Sequence, residues 1–80
     1  MSKEDSKREF RGFLKKLYGT QVLMGEALGV TPNTVTNWVQ TNPIPMLQFS
    51  AKIIADCDTT HTQLVGEVLY HKSKLEADET

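Results

Sequence analysis

The chain has 80 residues, a net charge of −1, 24% charged residues and 39% hydrophobic residues, which suits one globular domain and excludes a second domain or a disordered chain. A single cysteine, Cys57, excludes an intramolecular disulfide and a cysteine-type metal cluster, while the lack of a secretory pattern or an apolar run near ~18 residues points to a reducing cytoplasm and no membrane. Charge is unevenly spread: residues 1–18 (Lys3, Lys7, Arg8, Arg11, Lys15 and Lys16 against Glu4, Asp5 and Glu9) net +3, residues 19–51 carry only Glu26, and residues 52–80 net −3.

Between chain ends that read as frayed, the pattern predicts five helices, at about 4–18, 21–28, 32–40, 46–57 and 61–75, and no segment alternates with the period of a strand. In the first, Phe10, Phe13, Leu14, Leu17 and Tyr18 form one apolar stripe, and Gly19 stops it. The second has Thr20 as its cap, Val22 or Leu23 with Met24 and Leu28 as its buried side, and Gly29 as its end. The third has Thr31 as its cap and Pro32 in the first position, where the missing N–H costs nothing. Its apolar members are Val35, Trp38 and Val39. Thr41 to Pro45 reads as a loop because of its two prolines. The fourth helix takes Met46, Leu47, Phe49, Ile53, Ile54 and Cys57 inward, with Cys57 as a buried small hydrophobe. Thr60 and Gln63 form a capping box for the fifth, which carries Leu64, Val65, Val68, Leu69 and Leu75. Five short helices with short loops make a compact all-α domain.

The segment from Gln21 to Trp38 is two short helices joined by a glycine-containing turn. Gly25 is small where the helices approach, and Gly29 suits a left-handed backbone. Gln21, Gly25, Gly29-Val30, Val35 and Trp38 together resemble the helix-turn-helix of phage repressors and Cro-type proteins, and Asn42-Pro43-Ile44-Pro45 resembles the linker that follows the recognition helix in some of them. The resemblance covers roughly residues 8–69. It implies a lambda-repressor-like five-helix fold and a transcriptional regulator that binds double-stranded DNA, with an inverted-repeat operator read by a homodimer in a bacterial host cell. These 80 residues are expected to hold one domain, so the resemblance implies a minimal Cro-type repressor or an isolated DNA-binding domain. Two departures stand out: the family often has alanine at the place of Gly25, and no Lys or Arg occurs from Leu17 to Ala51.

In the docked geometry the third helix enters the major groove. Thr31, Pro32, Asn33, Thr36, Asn37 and Gln40 are then the expected base readers, since Val35, Trp38 and Val39 face the core. Asn and Gln pair with adenine N6 and N7, and Thr methyls and the Pro32 ring touch thymine methyls, so A·T pairs are expected at the contacted positions. The expected phosphate contacts are Lys15, Lys16, Thr20, Gln21, Thr34, Asn42 and Lys52, with the backbone N–H groups at helix starts. Lys3 and Lys7 read either as a groove-contacting arm or as a solvated face. Leu64, Val68, His71 and Leu75 form the stripe expected to pair two copies, Val65 and Leu69 lying beside it.

His61 and His71 lack ligands at metal spacing, nothing places a catalytic triad, and no glycine-rich loop cradles phosphate. No enzyme, cofactor, metal or small-molecule ligand is therefore expected. The competing readings are a module that acts through a protein partner, such as an antitoxin or anti-repressor, and a helical domain without DNA affinity.

Overall fold

In the computed structural model, which describes residues 3–77, the chain is all-α. Helix α1 spans Lys3–Tyr18, α2 Gln21–Leu28 and α3 Pro32–Gln40. A 3₁₀ helix over Ile44–Phe49 leads into α4 (Ser50–Asp56), and α5 covers His61–Ala77. The expected frayed ends fall largely on residues 1–2 and 78–80, outside the described residues.

Local chemistry accounts for most boundaries. In α1, Glu4 and Asp5 sit in the first turn and Lys15 and Lys16 in the last, each matched to the helix dipole. Lys7 and Arg8 pair with Glu4 and Asp5 at 3.2 and 3.8 Å, so Lys7 lies on a helix face, and Lys3 opens that helix; neither forms an extended arm. Thr20 Oγ1 accepts the Leu23 N–H at 3.1 Å and starts α2, while Gly29, at φ 75°, ends it in the left-handed region. At the start of α5, Thr60 Oγ1 accepts the Gln63 N–H at 3.1 Å. The reciprocal half of that capping box is absent: Gln63 Oε1 accepts from the Thr59 hydroxyl at 3.3 Å instead.

The expected helix over 46–57 is divided. Pro43 caps the segment Ile44–Phe49, Pro45 lies in its first turn, and the chain takes 3₁₀ geometry there, closed by Met46 N–H to Pro43 O at 3.0 Å. Pro45 is tolerated because the first N–H groups of a helix have no partner within it. Regular α geometry begins only at Ser50.

The core gathers Phe10 and Leu14 from α1, Met24 and Leu28 from α2, Val35, Trp38 and Val39 from α3, and Met46, Ile53, Leu64 and Val68 from the rest. Cys57 is half-buried, its thiol donating to Leu17 O at 3.2 Å. On α2 the buried side is Met24, Gly25 and Leu28, whereas Val22 and Leu23 are half-exposed, at 54% and 51%.

The stripe expected to pair two copies is interior. Leu64, Val68, His71 and Leu75 are all buried within the one chain. Helix α5 turns this stripe onto α1, where His71 stacks on Phe10 with ring centroids 4.4 Å apart, and it leaves Leu69 and Tyr70 outward. The two apolar stripes of α5 are neighbours, and the deeper packing goes to the one that can also satisfy a histidine.

Candidate nucleic-acid interface

The α2–turn–α3 unit is held at its turn by backbone. Gly25 O accepts from the N–H groups of Gly29 and Val30, the latter at 2.9 Å. A Cβ on Gly25 would stand 2.6 Å from Val30 O and 3.5 Å from Pro32 N. The glycine therefore admits the turn and the start of α3 rather than a helix crossing, and the two helices keep a fixed angle.

Helix α3 begins at Thr31, whose Oγ1 accepts the Thr34 N–H at 3.2 Å and hydrogen-bonds Thr34 Oγ1 at 3.0 Å. Successive residues turn by about 100°. Burial of Val35, Trp38 and Val39 therefore sends Asn33, Asn37 and Gln40 to the opposite face, where all three are exposed. None of these three amides has a side-chain hydrogen bond among the described residues. Pro32 and Thr31 are exposed at the N-terminal end of the same helix.

Thr36 is placed differently from the expectation. It is half-buried, and its hydroxyl donates to Gln21 Oε1 at 2.9 Å. Its hydroxyl belongs to the contact between α2 and α3, not to the outward face. The same bond aims Gln21: with its oxygen engaged, the amide NH₂ is the group left to donate outward. Asn42 is also half-engaged, since its Oδ1 accepts the Ile44 N–H at 3.1 Å and shapes the linker.

The basic residues expected on phosphates divide over three places. Lys15 lines a groove of about 160 Å³ with Arg11, Gly19, Thr20 and Gln21, at the N-terminus of α2. Arg11 was not among the expected contacts. Its spacing of four residues from Lys15 puts the two on one face of α1 and could have shown it. Lys16 lies on the other side of α1, in a groove of about 360 Å³ shared with Glu9, Asp58 and Glu67. Lys52 pairs with Asp56 at 2.8 Å. The Lys52 ammonium and the Tyr18 hydroxyl, which donates at 3.0 Å, hold the Asp56 carboxyl below its usual range. Burial and the bond to Asp56 push the Tyr18 phenol well above its own. Lys52 thus belongs to a latch between α1 and α4, and Lys16 to an acidic neighbourhood. Of the three lysines expected on phosphates, Lys15 alone shares the groove with Thr20 and Gln21.

Among the described residues, no group of three or more His, Cys, Asp and Glu is placed to hold a metal ion, and no helix is long and apolar enough to cross a membrane. Comparison with protein-family models, with curated proteins and with solved structures finds no match.

Proposed function

We propose that the chain is a sequence-specific regulator that binds double-stranded DNA in the manner of phage repressors and Cro-type proteins, with α3 as its recognition helix. The observation that carries the reading is the outward face of α3: three amides without intramolecular partners, on a helix clamped from behind by Val35, Trp38 and Val39. Amide side chains held this way suit paired hydrogen bonds to adenine N6 and N7. Beside that face, the Gln21 NH₂, the free N–H groups at the start of α2, Arg11 and Lys15 form a phosphate clamp.

Sequence reading through neutral amides and a clamp with few cations implies modest non-specific affinity. Two copies reading half-sites about one DNA turn apart would supply the missing affinity. Their contact has to lie outside Leu64, Val68, His71 and Leu75, which are interior.

Selection from a random duplex library with the purified protein tests the proposal. An enriched A·T-containing sequence, relaxed at one position by Asn37→Ala, supports it, and an inverted repeat supports the paired form. Absence of enrichment even at low salt overturns it. In that case the half-exposed Val22 and Leu23 on α2 are the observation that favours the alternative, an antitoxin or anti-repressor acting through a protein partner.

A further inference from the structure

A shallow groove of about 480 Å³ lies between α3 and the linker, lined by Thr34, Asn37, Trp38, Thr41, Asn42 and Pro45. Part of its polar rim is engaged inside the chain. Thr34 Oγ1 is bonded to Thr31 Oγ1 at 3.0 Å, and Asn42 Oδ1 to the Ile44 N–H at 3.1 Å. The lining is mostly carbon, with Pro45 and the otherwise buried Trp38 beside Thr34, whose engaged hydroxyl leaves its methyl free, and Thr41. At one rim stands Asn37, exposed and with its side-chain amide free of hydrogen bonds among the described residues.

An apolar hollow beside an adenine-reading amide has a specific complement. Among the base edges of the major groove, the thymine 5-methyl is the one alkyl group; cytosine offers only a C5–H at that place, and the other groups displayed there are hydrogen-bond donors and acceptors. A cytosine or purine edge would fill the carbon wall of this hollow less completely and bring polar atoms against it. We propose that the groove is a receptor for the 5-methyl group of a thymine next to the base pair met by Asn37, with Thr34, Thr41 and Pro45 as specificity-determining residues. This inference rests on the reading of α3 as a DNA-recognition helix. It assigns a base contact to residues on the linker side of that helix.

The test uses the duplex enriched by selection and replaces each thymine singly by deoxyuridine, which deletes only the methyl. At one position per half-site the affinity of the wild-type protein falls about fourfold, the value of one buried methylene-sized group. The double variant Thr34→Ser, Thr41→Ser keeps both hydroxyls and still binds, but no longer distinguishes thymine from uracil at that position. Trp38 is the one tryptophan of the chain, so its emission responds to the thymine duplex and less to the uracil duplex. Equal affinity for every uracil-substituted duplex overturns the methyl receptor and leaves the reading of α3 intact. A uracil effect that persists unchanged in the serine variant overturns the assignment to these threonines. Failure of any duplex to be enriched overturns both the inference and the function on which it rests.

Discussion

His71 Nε2–H donates to the carbonyl oxygen of Val39 at 2.8 Å. That carbonyl lies in the last turn of α3, so the candidate recognition helix is tied directly to α5. The Val39 carbonyl can only accept, which puts the imidazole proton on Nε2 and leaves Nδ1 to accept from the Ser6 hydroxyl at 2.7 Å. One buried neutral ring thus joins α1, α3 and α5.

This arrangement predicts a pH dependence of stability. Burial holds the His71 pKa below its ordinary value of 6.5, outweighing the opposing effect of the Val39 hydrogen bond, and the nearby Lys7 charge adds to the lowering. The unfolded chain therefore binds the proton more readily. The stability contributed by neutral His71 is fully present above about pH 6.5 and is lost as pH falls through the lower folded value. Thermal midpoints measured by circular dichroism between pH 7.5 and pH 5 should fall. His71→Gln should remove most of that slope, and a slope unchanged in this variant would refute the assignment.

Gly25→Ala should destabilise the domain despite the better helix propensity of alanine. The added Cβ meets Val30 O at 2.6 Å, and that atom is backbone, so the turn itself must move. Overpacking of this kind costs about 1–3 kcal/mol, against a propensity gain near 1 kcal/mol. The expected outcome is a lower thermal midpoint in a scanning melt. A rise would mean that the turn relaxes without strain.

Thr36 and Asn37 are neighbours with separate expected effects. Thr36→Val leaves Gln21 Oε1 without its donor and should cost about 1 kcal/mol in stability while leaving the selected DNA sequence unchanged. Asn37→Ala should leave the melt nearly untouched and relax base choice at one position by about 1–3 kcal/mol. Denaturation curves and a repeated library selection, run on both variants, separate the two roles.

Lys15 and Lys16 are likewise adjacent and placed apart. Lys15→Gln should weaken binding to all duplexes alike and reduce the salt slope by about one. Lys16→Gln, in a groove with Glu9, Asp58 and Glu67, should do neither. Titrations by fluorescence anisotropy at several salt concentrations check both, and equal losses for the two variants would refute the division of α1 into a clamp face and an acidic face.

Part of the site was legible before any coordinates. The exposure of Asn33, Asn37 and Gln40 follows from helical periodicity once Val35, Trp38 and Val39 are taken as core. Thr36 was misplaced because periodicity sets it near the edge of that face, and only the approach of Gln21 from α2 decides which way its hydroxyl turns. The pairing of Lys52 with Asp56 is legible four residues apart, but the third member, Tyr18, comes from another helix.

The sequence by itself determined the elements whose causes are local. Thr20 and Thr31 cap their helices, Gly29 takes the left-handed turn, Pro32 opens α3 and Gly19 closes α1, because each of these acts within a few residues of its own backbone. Tertiary structure alone decided which of the two apolar stripes of α5 faces inward. It also decided which side of α1 joins the start of α2, and how far the linker tightens before α4. The two stripes point about 100° apart around the helix, and which of them is buried is chosen by the partners that arrive. For α5 those partners are Phe10, Ser6 and Val39, which together accommodate His71 and so turn Leu64, Val68 and Leu75 into the core.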